Sequence, residues 1–87
     1  MLLRRGPRTP PRLLTLVTRQ GCTLCQEAEP VVTRAADRAG IAYEVRDVDA
    51  EPGLAQWSDS VPVVLLDGVP HAYWQIEEKA LRAALKG

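Results

Sequence analysis

The run Leu13-Leu14-Thr15-Leu16-Val17-Thr18 is β-prone and almost continuously apolar, which predicts a central strand covered on both faces. It stops at Arg19-Gln20-Gly21. From about residue 22 to residue 39 the apolar positions change to helical spacing. Cys25, Ala28, Val32, Ala35, Ala36 and Ala39 share one face, Gly40 is the stop signal, and Pro30 is expected to kink the helix. Partial alternation over residues 41–48 predicts a second strand. A short helical stretch then runs from Asp49 or Ala50 through Leu54 and Trp57, with Pro52 suited to its first turn. Val63-Val64-Leu65-Leu66 before Asp67-Gly68 reads as a strand entering a hairpin. Residues 69–73 form its return, and Pro70 puts that return on an edge. Ile76, Lys79, Ala80, Ala83 and Ala84, with Leu81 and Leu85 beside them, predict a closing amphipathic helix that ends at Gly87.

The order strand, helix, strand, short helix, strand, strand, helix predicts an α/β fold, a four-stranded mixed sheet with helices on both faces. With 87 residues there is room for one domain and one site. Residues 1–12 hold Gly6, Pro7, Pro10 and Pro11 among Arg4, Arg5, Arg8 and Arg12, and read as a flexible basic arm preceding a domain over residues 13–87. Lys plus Arg and Asp plus Glu both number 11, so without the four arm arginines seven cations face eleven anions. An acidic body argues against nucleic acid as the partner. No apolar run reaches the roughly 20 residues of a membrane span, nor does the start offer the apolar stretch of about 7–15 residues of a secretory signal. Cytoplasmic residence is the expectation, and two close cysteines in a reducing compartment read as redox or metal chemistry.

Those cysteines lie in Gly21-Cys22-Thr23-Leu24-Cys25, between the first strand and the first helix. In the first turn of a helix, residues i and i+3 are neighbours, so two sulfurs close a small ring with little rearrangement. Unpaired amides at the helix start favour a thiolate on Cys22, the expected nucleophile. Cys25, one turn in and on the apolar face, suits the resolving thiol. Zinc would need about four ligands, and His71 is the only further imidazole or thiolate, so no metal is assigned. Arg19 is a candidate stabiliser of the Cys22 thiolate. Trp57, Tyr73 and Trp74 are divided evenly between groove lining and core bulk, and His71 reads as a surface turn residue.

The cysteine pair after the first strand, Pro30 five residues beyond Cys25, and Ser60-Val61-Pro62 before the third strand together resemble the thioredoxin superfamily. Within it the chain is similar to the glutaredoxin-like branch from about residue 13 to residue 85, especially to small bacterial glutaredoxin-like proteins. That resemblance implies a cis Pro62, with the Val61 backbone offered to a bound peptide or glutathione. Leu24 and Trp74 are the expected apolar rim that engages a protein disulfide. Two departures stand out. Thr23-Leu24 replaces the common Pro-Tyr between the cysteines, and the glycine pair and aspartate that hold the γ-glutamyl end of glutathione align with Ala72-Tyr73 and Ile76. The buried carboxylate typical of thioredoxins is also replaced, by Leu16 six residues before Cys22. The expected function is exchange of a Cys22–Cys25 dithiol with protein or low-molecular-weight disulfides by a monomer. No cofactor is bound in this reading, and glutathione or a reductase is the electron donor. The alternative is a non-catalytic binding module in which Cys22 ligates an iron–sulfur cluster across a dimer.

Overall fold

A computed structural model of the protein describes residues 10–86; residues 1–9, most of the expected basic arm, and Gly87 lie outside the described residues. The elements are β1 (Leu13–Thr18), α1 (Thr23–Ala39), β2 (Ala42–Asp47), a 3-10 helix (Pro52–Trp57), β3 (Val63–Leu66), β4 (Val69–Tyr73) and α2 (Glu78–Leu85). The sheet order is β2-β1-β3-β4, with β1 parallel to β2 and antiparallel to β3, and β3 antiparallel to β4.

Because side chains alternate across a strand, β1 feeds two separate clusters. Leu14 and Leu16, with Val64 of β3, meet Ala28, Val32, Ala35 and Ala36 of α1 and Leu81 and Leu85 of α2. Val17 points the other way and joins Val48, Val63 and Leu65, with Leu54, Trp57 and Val61 packed against them. Buried Thr15 on that second face donates its hydroxyl hydrogen bond to Glu44 Oε2 at 2.8 Å, so the polar group carries its own partner. Both α-helices thus cover one face, and the other is roofed by the 3-10 helix. That segment has only six residues and opens on Pro52-Gly53, a composition poor for α-helix and compatible with a tight turn.

The predicted face of α1 is buried at Cys25, Ala28, Val32, Ala35 and Ala36, while Ala39, in the last turn, is exposed. The helix runs through Pro30 without a break, carrying the ring on its exposed side. Gly40 ends it at φ 69° in the left-handed region, where its amide and that of Ile41 close back on the last turn. The expected face of α2 needs correction. Lys79, Ala80 and Ala83 are exposed, and burial falls on Leu81 and Leu85, with Ile76 packed on the same cluster from the linker. Arg34 of α1 pairs with Glu78 at 2.9 Å and clamps the two helices together. The hydrogen bond from Arg34 is the main reason the Glu78 carboxyl lies below its ordinary range.

Where the expected arm meets the domain, the backbone is anchored. The amides of Arg12 and Leu13 both donate to Asp67 Oδ1 at 2.9 Å, so the chain is fastened to the β3–β4 turn from Arg12 onward. Along that hairpin Val64 faces Ala72 but Leu65 faces Pro70, which leaves His71 as the extra residue of a bulge in the outer strand.

Candidate active site

β1 delivers the chain to the site. Its last pair with β3, Val17 opposite Val63, brings the start of β3 to the same end of the sheet from which residues 19–22 lead into α1. Cys22 is the N-cap of α1, with extended backbone (φ −96°, ψ 112°), and its Sγ accepts a hydrogen bond from the Cys25 amide at 3.1 Å. The two cysteines form a disulfide, with Cα atoms 5.2 Å apart. They are not equivalent. Cys25 is 3% exposed and belongs to the buried face of α1, whereas Cys22 is half-buried at the open end of the helix. The unpaired amides and positive end of the helix dipole favour developing negative charge on the Cys22 sulfur.

The Val61–Pro62 peptide bond is cis, with Pro62 buried and Val61 packed against the second-face cluster. The Trp74 amide donates to the Pro62 carbonyl at 2.8 Å, and the Trp74 indole Nε1 donates to the Asp59 carbonyl at 3.3 Å. Two bonds therefore strap the residue after β4 across the Ser60-Val61-Pro62 loop. Trp74 adopts φ 62°, a left-handed backbone that an aromatic residue takes at a cost of about 1–2 kcal/mol. Leu24 and Trp74, expected on the substrate rim, are placed on one groove: together with Ala28, Val31, Ile76 and the carboxylates Glu27 and Glu77 they line a space of about 450 Å³ between α1 and the linker before α2. Of the aromatic residues, Trp57 packs on the core while Tyr73 and Trp74 are exposed, their rings in a tilted series with centroids 6.0 and 6.3 Å apart.

Arg19 is held by Asp49 and Ser58. Its Nε and Nη2 grip both oxygens of Asp49 at 2.9 and 2.8 Å, and Nη1 and Nη2 reach the Ser58 carbonyl and hydroxyl at 3.0 Å. It locks the end of β1 to the segments flanking the 3-10 helix, with its charge matched by Asp49. The signal for that role lies in residues 30 and 39 positions away, beyond the reach of local pattern. Hydrogen bonding from Arg19 is the chief cause that holds the Asp49 carboxyl below the usual carboxylate range. The folded state thus binds this proton less readily than the unfolded chain. The pair stabilises above the ordinary carboxylate pKa, and its contribution is lost as pH falls through the lowered value. Asp49→Asn is expected to lower Tm slightly at neutral pH, with the gap from the parent closing in acid; thermal melts across that range check it.

Among the described residues no three His, Cys, Asp or Glu side chains are grouped to hold a metal, and no helix is long and apolar enough to cross a membrane. In this structure the Cys22 sulfur that a shared cluster would need is bonded to Cys25.

A four-stranded mixed sheet with a Cys-x-x-Cys disulfide at the start of its first helix defines a thioredoxin-fold protein. Solved structures agree: a structural-genomics target protein from X. campestris superposes with a TM-score of 0.66 at 30% identity, covering 84% of this chain and 95% of its own. A thioredoxin from Halobacterium salinarum, solved as a point mutant, gives a TM-score of 0.65 at 29% identity over 85% of this chain and 71% of its own. An uncharacterized protein of Mycobacterium tuberculosis is 39% identical over 74 residues, which is 78% of this chain and 76% of that protein. The family profile described as "Glutaredoxin-like domain (DUF836)" matches residues 13–86, and the chain belongs to that family.

Proposed function

We infer that this protein is a thiol–disulfide oxidoreductase that reduces protein disulfides through the Cys22–Cys25 pair. The observation that carries this reading is the asymmetry of the pair: one sulfur accessible at a helix N-terminus, the other buried one turn behind it. In the reduced protein the Cys22 thiolate attacks one sulfur of a substrate disulfide, forming a mixed disulfide and expelling the other sulfur as a thiolate that takes up a proton. Cys25 then gives up its proton and attacks the Cys22 sulfur. This re-forms the Cys22–Cys25 disulfide seen here and releases the second substrate thiol. Two electrons pass from protein to substrate, and a donor thiol, from glutathione or a reductase, returns them. We place the protein in this role as a cytoplasmic monomer.

Protein disulfides are favoured over glutathione adducts. At the linker where typical glutaredoxins take the γ-glutamyl end, Ile76 packs on the helix-side cluster in place of an aspartate, and Tyr73 carries a side chain where a second glycine usually stands. Loss of a charge-assisted hydrogen bond worth about 1.5–3 kcal/mol weakens glutathione by roughly one or two decades. Steady-state reduction of a glutathionylated peptide, set against reduction of a protein disulfide with glutathione and with a thioredoxin reductase system as donors, tests this. Faster turnover of the protein disulfide is expected. Saturation by glutathione at low concentration with preference for the adduct would refute it.

A further inference from the structure

We propose that the groove between α1 and the linker before α2 docks the partner polypeptide and selects segments that carry a Lys or Arg side chain beside their disulfide. This selection rests on the exchange reading above and adds the substrate's charge to it.

The groove starts at Leu24, between the two cysteines, so a chain lying in it keeps its own disulfide close to Cys22. Its floor is aliphatic, from Ala28, Val31 and Ile76, and its rim carries Glu27 on one side and Glu77 on the other. Among the described residues neither carboxylate takes part in an ion pair, although the adjacent Glu78 is paired with Arg34. The usual structural reasons for acids near helix starts do not account for them. Glu77 is the N-cap of α2 but makes no side-chain capping bond, and the first turn of α1 contains no acid, so Glu27 stands beyond it. A third feature points the same way. Trp74 is 57% exposed, and its indole N–H is pinned to the Asp59 carbonyl, which fixes the ring as a wall of the groove.

An apolar floor, two carboxylates at the rim and a fixed indole match one kind of side chain. The methylene stem of Lys or Arg lies on apolar surface while its cationic head reaches for solvent and carboxylate. An indole face attracts that same cation. Anionic ligands, including glutathione with its two carboxylates, meet repulsion at the same rim. The net acidic charge of the body adds a long-range pull on basic partners.

The test uses the full-length reduced protein and two disulfide-bridged peptides that differ only in Lys or Glu flanking the bridge, with thiol release followed in a single turnover. The Lys peptide is expected to react about three- to tenfold faster at low ionic strength, the ratio falling toward one at about 0.5 M salt. In Glu27→Gln/Glu77→Gln the ratio falls toward one at low salt, whereas Asp37→Asn, the same kind of charge change near the far end of α1, retains it. Exchange without a Lys preference, or a preference that survives the double substitution, would overturn the proposal. Docking is read separately by titrating the oxidised protein with the Lys peptide bearing serines for cysteines, following the Trp74 indole N–H by NMR. A shift there, with neither disulfide peptide reduced, would sink the exchange reading and leave the groove assignment standing. No shift would overturn the groove assignment even if exchange proceeds.

Discussion

Cys22→Ser is expected to bring disulfide reduction down to the uncatalysed rate while leaving the fold nearly as stable as the parent. Serine is among the preferred N-cap residues, so the new hydroxyl takes over the capping role that the Cys22 sulfur plays toward the Cys25 amide. What disappears is the thiolate, because an alcohol at this helix end stays protonated near neutral pH and does not attack sulfur. Cys25→Ser should behave in the opposite way. The first exchange still proceeds, and the mixed disulfide on Cys22 accumulates because nothing behind it attacks. Mass spectrometry of the protein after incubation with a substrate disulfide distinguishes the two, with an adduct in Cys25→Ser and none in Cys22→Ser. The reverse pattern would mean that the buried sulfur is the nucleophile. Melts will separate the variants as well, since a hydroxyl placed where Cys25 is 3% exposed risks a desolvation penalty of about 1–3 kcal/mol.

Leu81→Ala should cost about 2–5 kcal/mol, out of the 5–15 kcal/mol that a domain of this kind typically has. Leu81 is fully buried against β1, β3 and α1, and with Leu85 it is one of two buried residues by which α2 holds to the sheet. For a chain of this size each kcal/mol shifts Tm by about 4–8 °C, so a fall of roughly 8–40 °C is expected in a circular-dichroism melt. Ala80→Ser and Ala83→Ser, one position to either side of the Leu81–Arg82 pair, should change stability by no more than about 0.5 kcal/mol because both sites are exposed. If an alanine change proves as damaging as Leu81→Ala, the helix is rotated relative to the arrangement described above.

That contrast marks where the sequence was legible. A continuous apolar run has one reading in a mixed sheet, and β1 is the central strand it predicts. α1 spans 17 residues, long enough for its small-residue face to average into a clear stripe, and its left-handed stop at Gly40 is a local matter of backbone freedom. α2 has eight residues, three of them alanine, and alanine suits either side of a helix, so spacing alone chose the wrong stripe. The cysteine pair was legible because its chemistry is local to one helical turn. Arg19 was not, since nothing near it in the chain announces Asp49 or Ser58. Of the groove, Leu24 and Trp74 were foreseen and its acidic rim was not: that rim needs Glu27 and Glu77 together, 50 residues apart, and a left-handed Trp74 where pattern offers no glycine to announce it.

β1 lies in the middle of the sheet, yet both of its neighbours come later in the chain. During synthesis the first strand leaves the ribosome with neither edge paired. β2 satisfies one edge after α1 has been made, and the other must wait for Val63–Leu66, whose partners in β1 lie about fifty residues behind. The apolar face of α1 stays only partly covered until Leu81 and Leu85 arrive. A nascent chain halted before β3 therefore exposes a flat, hydrophobic strand edge, the kind of surface on which other chains pair. Chaperone demand during translation should be concentrated in that interval, and the cysteines, already outside the ribosome by then, pass through it before the sheet that will shield Cys25 exists.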